Sequence, residues 1–236
     1  MKEYFNKIFN GSQNNFYKLI ENNLKNNEKT FVVTANPETI MIAEENCDFK
    51  KCLLDNKTMI IADGIGIVKG ANMLGYPLKE RIPGVELAVK LLEYCNTYKK
   101  SICLFGSTDD VITKMNNIIK ERFPDATLVG SFNGYIEDKE KVFNEIVNLK
   151  PDVTLVALGI PKQELLIYNH LDFFEKGIFV GVGGSFDVIS GSKKRAPKLF
   201  IKLHLEWLYR ILKEPKRIKR FFNSNIKYLL KIKKEK

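Results

Sequence analysis

Val153-Thr154-Leu155-Val156-Ala157-Leu158-Gly159-Ile160-Pro161-Lys162-Gln163-Glu164 is the stretch on which the fold turns. Its first six residues carry no charge and no apolar/polar alternation. A strand made of them is covered on both faces, as in a parallel sheet between two helix layers. Gly159 and Pro161 then break the run, and a more polar, helix-favouring segment starts at Lys162. The same unit recurs along the chain. Short apolar runs at Thr30–Thr34, Thr58–Ala62, Ser101–Phe105, Thr127–Gly130 and Ile178–Val182 read as the other strands. Between them the spacing predicts helices near Gln13–Asn26, Pro37–Glu45, Val85–Tyr98, Asp109–Phe123, Lys139–Asn148 and Lys162–His170. This alternation predicts an α/β fold, a Rossmann-like open, mostly parallel sheet with helices on both faces.

Ligands of such sheets bind outside the carboxyl ends of the strands. Here those ends read Thr34-Ala35-Asn36-Pro37, Asp63-Gly64-Ile65-Gly66, Gly106-Ser107-Thr108, Gly159 to Glu164, and Gly181-Val182-Gly183-Gly184-Ser185-Phe186-Asp187. Small and polar residues thus converge where a ligand's backbone approach needs room. Each string alone has a plainer reading. Asp63 suits a helix cap as well as a catalytic base. Gly106-Ser107-Thr108 suits a phosphate cradle or an ordinary strand-to-helix turn. Gln163 and Glu164 suit the first turn of a helix, and Arg81, in Glu80-Arg81-Ile82-Pro83-Gly84, suits a solvated loop. The chain has neither a G-x-G-x-x-G fingerprint nor a P-loop. It also lacks the D-x-D string that would hold a divalent metal on a sugar diphosphate. Arginine would have to supply the positive charge for such a substrate.

Four cysteines (Cys47, Cys52, Cys95, Cys103) show no zinc spacing, and there are two histidines, so no metal site and no cofactor is expected. Unpaired cysteines fit a reducing compartment. Met1–Asn15 carries no uninterrupted apolar stretch of the secretory kind, and no run of 18 apolar residues occurs. Any meeting with a membrane is therefore expected from its cytoplasmic face.

The charge is distributed unevenly. Lys193–Lys236 holds sixteen Lys/Arg against three Asp/Glu, or +13, whereas residues 1–192 hold 22 basic and 25 acidic, or −3. The tail is also amphipathic. Leu205, Trp207, Leu208, Ile211, Leu212, Ile218, Phe221, Phe222, Ile226, Leu229 and Leu230 recur near helical spacing with Lys and Arg between them. Pro197 and Pro215 divide it into two predicted helices, Lys198–Lys213 and Lys216–Lys233. The organisation expected is a catalytic body over residues 1–194 and a basic helical appendage over 195–236, suited to an anionic bilayer surface. By periodicity alone, Trp207 reads as core packing of a tail helix; the charge of the tail moves that reading towards an anionic interface.

Thr34-Ala35-Asn36-Pro37-Glu38, Ala62-Asp63-Gly64-Ile65-Gly66, Arg81-Ile82-Pro83-Gly84, Gly159-Ile160-Pro161-Lys162-Gln163-Glu164 and Gly181-Val182-Gly183-Gly184 follow in that order. Arg195-Ala196-Pro197, Leu205-Glu206-Trp207 and Glu214-Pro215-Lys216-Arg217 come after them. Together they resemble the WecG/TagA/CpsF glycosyltransferase family over about Phe31 to Arg220, and most nearly its branch that makes the wall teichoic acid linkage unit. The resemblance implies an inverting, metal-independent transfer of N-acetylmannosamine from UDP to the 4-hydroxyl of N-acetylglucosamine on undecaprenyl diphosphate, at the inner face of the plasma membrane. It implies Asp63 as the base and Arg81 as a second catalytic residue, with either Thr34 or Asn36 as the polar residue near the first strand end. Gln163 and Glu164 belong to the expected substrate contacts, together with Gly106, Ser107, Gly159 and Gly183. Arg210, Arg217 and Arg220 are the expected contacts to the diphosphate from an appendage that closes over the site.

Two competing functions share some of these features. A related transferase with another UDP-sugar would show the same strings. A nucleic-acid-binding module would explain Lys219-Arg220-Phe221-Phe222 but would leave the strand-end residues without a task, so no nucleic-acid partner is expected. A homo-oligomer stays open.

Overall fold

Runs without polar alternation bury both of their faces, and five of the six strands do so; Thr127–Phe132, at the sheet edge, is only partly covered. The computed structural model describes every residue except Lys216, and the backbone alone at Arg217 and Arg220. Its strands are β1 (Lys29–Ala35), β2 (Thr58–Ala62), β3 (Ser101–Gly106), β4 (Thr127–Phe132), β5 (Val153–Ala157) and β6 (Gly177–Gly181). They form one sheet in the order β2-β1-β6-β5-β3-β4, with every pairing parallel. Within β1, Phe31, Val33 and Ala35 enter one core and Val32 the other, and the same alternation divides β3, β5 and β6.

The first core lies under α1 (Lys2–Lys7), α3 (Pro37–Glu45), α4 (Cys47–Leu54), α5 (Ile65–Met73), α8 (Lys139–Leu149) and α9 (Lys162–His170). The second lies under α2 (Gln13–Lys25), α6 (Gly84–Thr97), α7 (Asp109–Arg122) and α10 (Ser185–Ile189). β1 and β5 send the chain into the first layer, while β3 and β6 send it into the second. Neighbouring strands whose chains leave to opposite faces open a crevice at their carboxyl ends. Cys52, Cys95 and Cys103 are buried and unpaired.

Helices α1, α4, α5 and α10 were not among those expected, and one expected tail helix is broken. α5 forms despite Gly66 and Gly70, which disfavour a helix interior. The glycines admit neighbours instead. A Cβ at Gly66 would lie 2.8 Å from the Pro37 ring, and one at Gly70 would overlap the Tyr228 hydroxyl. The first predicted tail helix is broken into α11 (Lys198–Lys202) and α12 (Glu206–Lys213) by His204, whose φ of 58° takes it out of the helix.

The last helix, α13 (Arg217–Glu235), is no free arm. Tyr228 and Ile232 are fully enclosed in the first core, and Lys227 and Lys231 pair with Glu45 and Glu44 of α3. Its other side leaves Ile218, Phe222, Ile226, Leu229 and Leu230 about half exposed. The expected division at residue 194 thus marks a change of charge, while the core itself runs on into α13.

Candidate active site

Asp63 follows β2, and its amide still continues the ladder by donating to Ala35 O at 2.9 Å. It does not cap its own helix, α5, which starts at Gly64 without a side-chain cap. Its Oδ1 accepts instead from the amide of Gly84, at 3.0 Å, at the start of α6. Gly84 is brought there because Ile82 N donates back to Ala62 O at 2.7 Å, folding the loop over the strand end. That fold also carries Arg81 into the crevice, so the solvated-loop reading of this arginine fails: its side chain is only 14% exposed. Oδ2 of Asp63 accepts no hydrogen bond from the described residues. The residue as a whole is half-buried, with its carboxylate surrounded by protein. Burial raises its pKa above the ordinary carboxylate value. The Gly84 amide and the charges of Arg210 and Arg81 oppose that rise, and Glu206 adds to it.

Arg210 arrives from α12, and Glu206, four residues earlier on the same helix, accepts from its Nη2 at 2.9 Å. Glu206 also faces Arg81 Nη1 at 3.6 Å and Arg195 Nε at 4.0 Å. Arg195 in turn donates from Nη2 to Glu86 of α6 at 2.5 Å. The crevice beside Asp63 is therefore walled by guanidinium groups, the residue type suited to a diphosphate. Glu206, Arg195 and Glu86 were not singled out from sequence. The signals available were the Glu206–Arg210 spacing of four and the place of Arg195 and Glu206 in the strings that carry the family resemblance. Arg217 and Arg220 have side chains outside the described residues.

The remaining sequence candidates divide by what their polar atoms do. Thr34 is buried and donates to Gly181 O at 3.2 Å, tying β1 to β6. Asn36 caps α3, its Oδ1 accepting from the amides of Glu38 and Thr39. Its side chain abuts Gly64, one residue from Asp63, and the Thr34 side chain abuts Gly84, whose amide serves Asp63, so both residues border the crevice. Gly106 and Ser107 both have positive φ, and the Ser107 amide donates to Ala157 O at 3.0 Å. That amide is spent on closing β3 against β5, and Asp109 and Asp110 occupy the first turn of α7. Both features disfavour a phosphate there.

Gln163 is almost wholly buried, and its Oε1 accepts from the amides of Gly159 at 3.0 Å and Gly183 at 3.2 Å. It staples the loop after β5 to the loop after β6. Gly159 and Gly183 hold positive φ of 81° and 49°, conformations that glycine adopts at no steric penalty. Behind Gln163, Glu164 accepts from its Nε2 at 2.7 Å, is fully enclosed, and has its pKa pushed up to about 7 by burial. Gln163→Ala is expected to leave two amides unpaired, lowering stability by about 1–3 kcal/mol and slowing transfer as both loops loosen. Thermal melting beside a turnover assay checks this; unchanged melting would mean the staple is dispensable.

Among the described residues, no three His, Cys, Asp or Glu side chains are grouped so as to hold a metal ion. Nor is any helix long and apolar enough to cross a membrane.

The profile of the glycosyl transferase WecG/TagA/CpsF family matches residues 5–236. Among similar proteins, one from Bacillus spizizenii (strain W23) is 39% identical over 200 residues, covering 85% of this chain and 77% of its own. One from Bacillus subtilis (strain 168) is 39% identical over 204 residues, covering 86% and 79%. One from Staphylococcus aureus (strain MW2) is 39% identical over 207 residues, covering 87% and 80%. All three carry the name N-acetylglucosaminyldiphosphoundecaprenol N-acetyl-beta-D-mannosaminyltransferase.

Proposed function

The chain belongs to the WecG/TagA/CpsF glycosyltransferase family, and on that premise we propose that it transfers N-acetylmannosamine from UDP to the 4-hydroxyl of N-acetylglucosamine on undecaprenyl diphosphate. The observation that carries the reading is Asp63, a carboxylate with one oxygen that accepts no hydrogen bond from the described residues, at a strand end near the charges of Arg81 and Arg210. A sugar hydroxyl is a poor nucleophile and needs its proton removed as it attacks. In this reading Asp63 Oδ2 takes that proton while the hydroxyl oxygen bonds to the anomeric carbon on the face opposite UDP. The bond from that carbon to the UDP oxygen breaks, and its electron pair leaves on the diphosphate. Arg81 and Arg210 neutralise the charge that builds there, a task otherwise given to a metal.

The acceptor's polyprenyl chain stays in the bilayer, so the protein must come to the surface. The half-exposed apolar side of α13, with Leu199 and Leu203 of α11 and its C-terminal turn and Leu212 of α12, supports peripheral binding to an anionic inner leaflet. Trp207 serves both of its readings: it stacks on Phe221 at 4.7 Å between ring centres and stays 38% exposed.

A transfer assay with a panel of UDP-sugars and a short-chain lipid-diphosphate N-acetylglucosamine acceptor tests this. UDP-N-acetylmannosamine is expected to be the preferred donor, and turnover is expected to survive EDTA. Preference for another donor would move the chain to a different reaction of the family, and loss in EDTA restored by Mg²⁺ or Mn²⁺ would sink the arginine-only account.

A further inference from the structure

Glu206 is a carboxylate only 7% exposed, on a short helix of an otherwise basic tail. Burying such a charge is costly unless it is paired, and it is paired three times, with Arg210, Arg81 and Arg195. Arg195 has a second carboxylate, Glu86. Among the described residues, Arg81 has none besides Glu206 within ion-pair distance, and it is itself largely buried. Among the described residues, the charged groups acting on Asp63 are Arg81, from the loop before α6, and Arg210 and Glu206, from α12. Yet no described guanidinium forms an ion pair with Asp63, while Arg81 and Arg210 both face Glu206.

We propose that Glu206 is a positioning residue: its carboxylate holds Arg81 and Arg210 away from Asp63, leaving the guanidiniums open to the donor diphosphate and Asp63 open to the acceptor's proton. The geometry permits both roles at once. A guanidinium has five N–H donors; the contact to Glu206 engages Nη2 of Arg210 and approaches Nη1 of Arg81. The remaining donors can meet phosphate oxygens. A base must also avoid full ion pairing, since a guanidinium within about 4–6 Å lowers a carboxylate's pKa by about 1–3 units and weakens it as a proton acceptor. Glu206 meets that need twice, by diverting the arginines and by adding its own negative charge near Asp63. The inference rests on Asp63 being the base, so the test reads Asp63 directly as well as through turnover.

In the full-length protein, the Asp63 carboxyl is titrated by NMR with labelled aspartate, assigned by its loss in Asp63→Asn, and the pH dependence of kcat/KM is measured in parallel. In Glu206→Gln, Arg81 and Arg210 should turn to Asp63. Its pKa should fall by about one unit or more, the acid limb should move to lower pH with it, and kcat should drop roughly tenfold. Glu206→Asp keeps the charge with shorter reach and should shift both readouts the same way by less; it also supplies the answer if the glutamine variant does not fold. An Asp63 titration unmoved in either folded variant overturns the proposal. A titration that moves while the acid limb stays supports the placement of the arginines and overturns the base assignment instead.

Discussion

Asp63→Asn is expected to leave the protein folded and able to bind donor while lowering kcat by roughly 10²-fold or more. The amide oxygen of asparagine can still accept from Gly84 N, so the contact that fastens the loop before α6 survives. What is lost is the oxygen that takes the proton. The wild-type profile should carry an acid limb above the ordinary aspartate range, because burial raises the Asp63 pKa and the protonated form is inactive. The sign for stability is opposite to that for activity. Folding raises this pKa, so the native state holds the proton more tightly than the unfolded chain does. The penalty for ionising it is absent below the unfolded value and grows as pH rises through the folded one. Asparagine carries no such penalty, so the variant should melt no lower than wild type at neutral pH, the usual trade between a strained site and stability. Near-normal turnover would reduce Asp63 to the anchor of Gly84.

The sheet was legible because its strands are defined by what they lack. Thr58–Ala62 or Val153–Ala157 has nowhere to place a wet face, and Gly or Pro closes each run. α5 was not legible, because Gly66 and Gly70 argue against a helix until Pro37 and Tyr228 are seen filling the space the glycines leave. Asp63 and Gln163 stood out as polar residues at strand ends, with Gly159 and Gly183 beside them, but the bonds that join them did not. Gly84 and Gly183 reach them through turns whose geometry no local pattern encodes. Glu206 was the least visible of all. In sequence it is one acid in a basic tail, and its meaning depends on Arg81 and Arg195, which lie far away along the chain and meet it only when α12 docks.

A chain ending at Arg195 is expected to lose transfer even to a water-soluble acceptor, lose binding to anionic vesicles, and melt well below the full-length protein. The first loss follows from Arg210 and Glu206 leaving the wall beside Asp63. The second follows from two removed contributions, the apolar side of α13 and the basic charge, each Lys or Arg near an anionic leaflet being worth about 1 kcal/mol. Binding by the intact chain should accordingly weaken at high salt. The third arises because Tyr228 and Ile232 belong to the core under α3 and α5; emptying a large buried side chain's place typically costs about 2–5 kcal/mol. Since an unfolded truncation would lose activity trivially, the full chain with Arg210→Gln separates the causes. It keeps Tyr228 and Ile232 seated and the exposed apolar side intact, so vesicle binding and melting should hold while turnover falls. If that variant turned over normally and the truncated chain, still folded, used the soluble acceptor, the tail would be an anchor alone, and the diphosphate would have to be met by Arg81 and the body of the protein.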